Sequence, residues 1–405
     1  MKNRTTVAAI DVGTTKVCTI IADADGNNGL RVLGVGVTPT KGLAKGLVVN
    51  IGDARESIRE SVRKAEQASG SRIGSAYIGV TGRHVTSMNN KGVVAITRND
   101  RLVRSDDLKR VLDCARSVKV TNDRKLLHVI PRNYTVDGQL GIKNPVGMHG
   151  FRLDVETHII TAAATSVQNL VKCIRSIGID IDDLVLEPLA SGESILTEDE
   201  KQMGVVIADI GGGTTDIAVF REGSIWHTSI LPVAGYQITR DVAIGLGLPF
   251  EVAEEMKKRY GSVMSVYESS TDNQAQMSQD GHGVSYQDLC DIVRARVEEI
   301  MRLVFLELPS ADYETIVPAG LVLTGGGANL AGMSALGQEM LQMPVRIGTP
   351  TNLSGISDTL RNPCFATSVG LLLWGTKNSR KQSWKGNLFG LKLWRLASKM
   401  KRLFG

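Results

Sequence analysis

Apolar and polar positions change places in short runs over the first fifty residues. "TVAAIDV", "VCTIIAD" and "RVLGVGV" are rich in Val and Ile and are separated by Gly-containing turns, which predicts a meander of strands over residues 5–50. The period then lengthens. In "GDARESIRESVRKAEQASG" Ile58 and Val62 are spaced i, i+4, which predicts a helix with Asp53 as its N-cap. Residues 75–150 predict a separate small α+β unit. "SAYIGVTG" and "KGVVAIT" read as strands, "RSDDLKRVLDCARSV" as a helix capped at Ser105, and "LLHVIPRNYTVDGQLGI" as a return to strand. "ETHIITAAATSV" then predicts a strand, "VQNLVKCIRSIG" a helix, and "IDDLVLEPLASG" a strand running into a helix.

The second half repeats the opening theme. "GVVIADIGGGTTDIAVFREGSIWHTSILPVAG" is again strand, Gly-rich turn, strand, strand. Helices are predicted over "YQITRDVAIGLGLP", "EVAEEMKKRYG" and "YQDLCDIVRARVEEIMRLVFLEL", and "GLVLTGGGANLAGMSALGQEML" predicts strand, Gly turn, helix. "AAIDVGTTKVCTIIAD" and "VIADIGGGTTDIAVF" share one plan: apolar strand, Asp, Gly/Thr turn, apolar strand. Two distant copies predict a duplicated domain facing itself across a cleft, not a solenoid.

Composition sharpens this picture in two places. The chain has 405 residues, 42% hydrophobic and 22% charged, enough for two or three domains with real cores. Its net charge of +5 is unevenly placed. From Lys377 onward there are nine Lys or Arg and no acid, which leaves 38 basic against 42 acidic residues elsewhere. A mildly acidic body with 4% aromatics argues against a nucleic-acid partner and assigns the electrostatic partner to the tail. The five cysteines form no CxxC pair, which predicts reduced thiols in a cytoplasmic protein. "MKNRTTVAAIDVG" lacks the apolar core of a signal peptide, and "VGLLLW" is too short to span a bilayer.

The Gly clusters are neither of the two common phosphate loops. The chain has no Gly-Lys dipeptide, and Gly211 and Gly213 are followed by Asp216, Gly325 and Gly327 by Leu330. A strand–turn–strand clamp remains. In Asp11-Val12-Gly13-Thr14-Thr15-Lys16 the turn points backbone N–H groups at an anion, the Thr hydroxyls add donors, and Lys16 adds charge. Asp11 tolerates a phosphate only through a cation, and a hydrated Mg²⁺ suits it. Asp209-Ile210-Gly211-Gly212-Gly213-Thr214-Thr215-Asp216 repeats the logic from the other side. One copy alone is equally a hairpin with ordinary turn glycines; two in matching order point to nucleotide binding. Gly325, Gly326 and Gly327 allow close approach of a purine or ribose, or simply make a tight β–α turn. Glu254 and Lys257, i and i+3 on one helix face, reach a common ligand or form a surface pair. Glu187, where a strand gives way to a helix, orients a water or answers the helix dipole.

The two clamps, "EPLASGESIL", "LVLTGGGANLAGM" and "CFATSVGLLLWG" resemble the five motif regions of the actin/Hsp70/sugar-kinase ATPase superfamily. Within it the chain resembles the FtsA family of bacterial cell-division proteins, as do "LLHVIPRNYTVDGQLGIKNPVGMHG", "THIITAAATSVQNLVKCI" and "PVRIGTPTNL". The resemblance spans nearly the whole chain. It implies an α/β, actin-like duplicated ATPase fold: two ribonuclease-H-like halves around a nucleotide cleft. Residues 1–82 and 164–195 would form the first half, 83–163 an inserted α+β subdomain and 196–376 the second half. Residues 377–386 would be a linker and 387–405 a C-terminal amphipathic helix. It further implies ATP and Mg²⁺, with Asp11 and Asp209 facing the hydrated metal. Gly13, Thr14, Thr15, Lys16 and Gly211 to Thr215 (Gly212, Gly213 and Thr214 between them) would hold phosphates. Glu254, Lys257 and Gly325 to Gly327 would hold adenosine, and Glu187 would polarise water. "PVAGYQIT" departs from the family's usual paired glycines, so Ala234 is expected to crowd the nucleotide. Fast hydrolysis is not implied, since ATP can serve to set conformation and polymer state.

The end of the chain, "GNLFGLKLWRLASKMKRLFG", is basic and apolar together. On a helical wheel Phe389, Leu393, Leu396, Met400, Leu403 and Phe404 share a face, Lys392, Arg395, Lys399 and Arg402 lie on the other, and Trp394 sits off the apolar arc. That pattern predicts a helix lying in an anionic membrane surface; the alternative is a helix packed on the protein's own core or in a partner groove, and core packing would not require an all-basic polar face. With the family resemblance, the expectation is an adaptor on the cytoplasmic face of the membrane at the division site. It would polymerise with itself, bind FtsZ, the tubulin-like division protein, and recruit other division proteins. A PilM-type pilus-assembly protein is the alternative within the fold. A chaperone would need a substrate domain for which no residues remain, and a sugar kinase would need measurable phosphoryl transfer.

Overall fold

The computed structural model describes residues 5–24, 30–118, 120–264, 284–308, 317–351, 353–355 and 358–378. The tail, and all of the expected linker beyond Asn378, lie outside the described residues.

The chain begins with β1 (Thr5–Val12), β2 (Lys16–Ala24) and β3 (Leu30–Pro39), followed by the short pair β4 (Leu43–Ala44) and β5 (Leu47–Val48), α1 (Ile51–Ser69) and β6 (Ser75–Val80). Asn50, not Asp53, caps α1, because its Oδ1 accepts from the Gly52 and Asp53 amides at 2.9 and 3.2 Å. The glycines of "RVLGVGV" let this helix lie directly on β3: a Cβ at Gly36 would stand 1.9 Å from the Ser61 carbonyl oxygen.

An inserted unit follows: β7 (Val85–Ala95), α2 (Ser105–Arg116), β8 (Arg124–Val136), β9 (Gln139–Ile142) and β10 (Arg152–Ala163). Its strands form a separate antiparallel sheet in the order β7-β10-β8-β9, with α2 packed on it through Val111 and Ala115. Ser105 is the first residue of α2, not its cap; the Asp107 carboxylate satisfies the Arg104 amide at 2.9 Å. The chain returns through α3 (Ala164–Ser176), β11 (Asp180–Leu186) and α4 (Glu187–Ile195).

The second half contains α5 (Glu198–Met203), β12 (Val205–Ile210), β13 (Thr215–Arg221), β14 (Ser224–Leu231), α6 (Gly235–Leu246), α7 (Phe250–Tyr260) and α8 (Tyr286–Leu306). Then come β15 (Leu321–Thr324), α9 (Met333–Leu341), β16 (Val345–Ile347), β17 (Leu353–Gly355) and α10 (Ala366–Asn378). The first sheet runs β11-β6-β1-β2-β3-β17 and the second β14-β13-β12-β15-β16. Leaving β17 aside, the strand order is the same in both, and so are the directions: antiparallel on the meander side, parallel beyond it. The repeat read from the sequence is thus a repeat of topology.

Residues 196–376, expected as one second half, are divided in space. β17 pairs in parallel with β3, and α10 packs on α4, β1, β2 and β6 of the first half. In return, residues of α4 share a core with Val205, Ile207, Ala218 and Phe220 of the second sheet. The physical reason is that each half's last helix covers an apolar sheet face of the other. Where α10 crosses α4, a Cβ on Gly370 would stand 1.8 Å from the Ala190 carbonyl oxygen. Gly370→Ala is therefore expected to destabilise the protein by about 2–3 kcal/mol, despite the gain in helix propensity. Urea unfolding checks this against Gly74→Ala, where nothing lies within 4 Å and the change should stay within about 0.5 kcal/mol.

Candidate functional site

Both Gly/Thr turns sit at the same place in their sheets. Asp11 pairs with Cys18 across β1 and β2, and Asp209 with Asp216 across β12 and β13, so the two turns have the same register. The Gly13 amide donates to the Lys16 carbonyl at 3.0 Å, and the Gly211 amide to the Thr214 carbonyl at 2.9 Å. The turns face each other at close range. A Cβ on Gly212 would meet Thr15 Cγ2 at 2.2 Å, and one on Gly213 would meet Thr14 Oγ1 at 2.7 Å. Any side chain there would push the two turns apart. The turn into α6 is tied to the same loop, with the Tyr236 amide on the Gly212 carbonyl at 2.7 Å and the Gly235 amide on the Gly211 carbonyl at 3.1 Å.

Behind the turns lie four buried acids, Asp11, Glu187, Asp209 and Asp216. Hydroxyls on the crossing helices hold two of them. Ser368 Oγ of α10 donates to Asp11 Oδ2 at 2.7 Å, and Ser191 Oγ of α4 to Asp209 Oδ2 at 2.7 Å. Thr367 Oγ1 reaches the same Asp209 oxygen at 3.0 Å, and Thr81 Oγ1 donates to Asp216 Oδ2 at 2.6 Å. Lys16 Nζ donates to the Cys364 carbonyl at 2.5 Å and lies 3.8 Å from the centre of the Phe365 ring.

These acids are electrostatically unfinished. Burial pushes the Asp11 and Asp209 carboxyls above their ordinary range. Burial, then the neighbouring Asp11, Asp216 and Asp209, drive Glu187 well above its own. Asp216 is raised to about 7, by burial first. Glu187 Oε1 and Asp216 Oδ1 are buried without a hydrogen-bond partner. Such a set fits a divalent cation, which would offset the mutual repulsion. Among the described residues no three His, Cys, Asp or Glu side chains are grouped to hold an ion directly, so the fit is to a cation that keeps its waters.

The other expected site residues are placed as follows. Gly325, at φ 83°, lies against Asp209: a Cβ there would be 2.4 Å from Oδ1. Gly327 packs on Ile210, whereas Gly326 has only Cys364 Cβ, at 4.0 Å, near its own Cβ position. Thr215 is turned away from the facing loop and donates to the Val233 carbonyl at 2.7 Å. Glu254 and Lys257 meet each other: Lys257 Nζ is 2.6 Å from Glu254 Oε2, 2.9 Å from Thr239 Oγ1 and 3.3 Å from the Gly235 carbonyl. Ala234, expected to crowd a nucleotide, is fully buried. Its methyl group belongs to the second-half core with Val206 and Ile238, on extended backbone that any residue adopts. Sequence reasoning missed the hydroxyls of Ser191, Thr367, Ser368 and Thr81. Their signal was present in "LASG", "FATSVG" and "GVTG", but nothing in one dimension says which acid each hydroxyl meets.

Comparison with known proteins places the chain. The sequence profile described as "Cell division protein FtsA" matches residues 206–370, and that of the "SHS2 domain inserted in FTSA" matches residues 82–161. The cell division protein FtsA of Pseudomonas aeruginosa is 42% identical over 372 residues, 91% of this chain and 89% of that one. Those of Bacillus subtilis and Escherichia coli are 36% and 34% identical, covering 97% and 93% of this chain and 88% and 91% of theirs. Among solved structures, a PilM-PilN type IV pilus biogenesis complex aligns with TM-score 0.63 at 17% identity, over 91% of this chain and 98% of that one. MreB5 of Spiroplasma citri bound to ADP aligns with TM-score 0.55 at 14% identity, over 94% and 100%. At these identities the structural likeness establishes an actin-like fold.

Because Asp216 holds its proton more tightly in the folded than in the unfolded chain, its contribution to stability is full below about pH 4. That contribution is lost as pH rises through about 7. Asp216→Asn removes the ionisation while its Oδ1 can still accept from Thr81. The variant is expected to melt several degrees above the parent at pH 8, with a smaller gain at pH 5. A gain in Tm that does not change with pH would contradict this account.

Proposed function

The chain belongs to the FtsA family of cell-division proteins, and on that premise we propose that it binds ATP with Mg²⁺ between its two halves and uses the nucleotide to set conformation and assembly. The observation that carries this reading is the pairing of two facing Gly/Thr turns with four buried acids, two of which have an unpartnered oxygen. Gly13, Thr14, Thr15 and Lys16 on one side and Gly211 to Thr214 on the other would hold the phosphates. Asp11 and Asp209 would face the hydrated Mg²⁺, which supplies the positive charge that the acids and phosphates lack. Gly325 to Gly327, Glu254 and Lys257 would border the adenosine, with the Glu254–Lys257 pair opening toward it. Glu187 would orient a water, which allows slow hydrolysis.

We assign the remaining role to an adaptor. The tail from Phe389 to Phe404 would lie in the cytoplasmic face of the membrane, and copies of the chain would polymerise there, tether FtsZ and recruit later division proteins. A single amphipathic helix binds reversibly, so many tails in one polymer would supply avidity. Among the described residues no helix is long and apolar enough to cross a membrane. The PilM-like reading has only fold-level likeness behind it, against 34–42% identity over most of the chain to FtsA proteins.

ATP with Mg²⁺ is expected to raise the Tm by several degrees, as a ligand at 100 times its Kd contributes about 2.7 kcal/mol. Asp209→Asn should lose most of the Mg²⁺-dependent part, and an equal rise in that variant would remove the metal assignment. Separately, deletion of residues 385–405 is expected to release the protein from anionic liposomes in a flotation assay. If the truncated chain still floats, the tail is not the anchor.

A further inference from the structure

Beside the first turn, the first half encloses a cavity of about 20 Å³ between α3, the β4–β5 pair and the end of β6. Its lining is mixed, with Val12, Val48, Val167 and Leu170 among the apolar walls and Thr81 and Ser166 among the polar ones. Two of the side chains lining it bring unpaired polar atoms. Glu187 is 92% buried and its Oε1 has no partner; the half-buried His84 has a buried Nδ1, also without a partner. A cavity of this size holds one water, and a water needs polar partners to stay. Either tautomer of His84 leaves Nδ1 in need of a hydrogen bond, as donor or as acceptor. The same is true of Glu187 Oε1 in either protonation state. A water can serve every combination, because it both donates and accepts. Leaving both atoms unsatisfied would cost the desolvation of each with nothing in return.

We propose that one buried water bridges Glu187 Oε1 and His84 Nδ1, making His84 the residue that positions the Glu187 carboxyl at the cleft. His84 stands between β6 and β7, where the chain leaves the first half for the inserted unit. Its carbonyl accepts from the Ala163 amide at 3.2 Å and from Arg124 Nη2 at 3.1 Å, so β10 and β8 of the insert fix its backbone. The water therefore connects the acid at the cleft to the root of the insert. The functional weight of this connection rests on the nucleotide reading above; the water bridge itself does not.

The test uses the full chain labelled with ¹⁵N at histidine, free of nucleotide, with the His84 ring signals assigned by their loss in His84→Asn. Glu187→Gln keeps the side-chain shape and is expected to shift the His84 Nδ1 signal while leaving those of His149 and His227 in place. Gly79 lines the same cavity, and Gly79→Ala sets a methyl group 3.2 Å from Glu187 Oε1, which is expected to displace the water and shift the same signal. A His84 signal that does not move in Glu187→Gln overturns the proposal. A signal that moves in Glu187→Gln but not in Gly79→Ala overturns it too, since no water then carries the coupling. The nucleotide reading is scored apart, by the Tm gain with ATP and Mg²⁺: its failure leaves the histidine shifts standing, and their failure leaves the Tm gain standing.

Discussion

The crossing of α4 and α10 is the contact on which the rest of this molecule depends. It is a backbone-on-backbone approach, made possible by the absence of a side chain at Gly370 above the Ala190 carbonyl. Through it, each half receives a helix from the other. Ser368 reaches Asp11 and Thr367 reaches Asp209 from one helix, and Ser191 reaches Asp209 from the other. The acids are therefore oriented by elements distant from them in the chain, and neither half holds its own acid alone. Relative movement of the halves has to be accommodated at this crossing, and any such movement is felt directly at the carboxylates.

The symmetry is close but incomplete, and the exception concentrates charge. At the position where the second half places Asp216, the first half places Cys18, whose thiol burial pushes up to about 12. The first half thus contributes a neutral group and the second a carboxyl in the same register. With Asp11, Asp209 and Glu187 nearby, the excess of negative charge lies toward the second turn. The two clamps share one topology but not one charge, and a cation bound there would meet unequal sides.

Much of this was legible in one dimension because it is local. The Asp-Gly-Thr turns, the alternation of the strands and the Glu187 boundary are all set by residues within a few positions of one another. Three things were not. The caps at Asn50 and Arg104 depend on hydrogen bonds that spacing alone does not choose among. The methyl group of Ala234 points by backbone geometry into a core, which no motif comparison can see. The exchange of β17 and α10 between halves is decided by which apolar face is left uncovered, a property of the assembled sheets. For Glu254 and Lys257 the spacing left a common ligand and a mutual pair as alternatives, and three dimensions show them bound to one another.

The strand β17 has one more implication. It lies along β3 at what would otherwise be the open border of the first sheet, a row of backbone donors and acceptors that could template indiscriminate growth. The molecule covers the start of that border with its own chain, pairing Leu353 to Gly355 with Leu30 to Val32. That stretch of backbone is thereby closed to strand pairing with anything else, and the second half, which lends the strand, is tied to the first by main-chain hydrogen bonds as well as by packed helices.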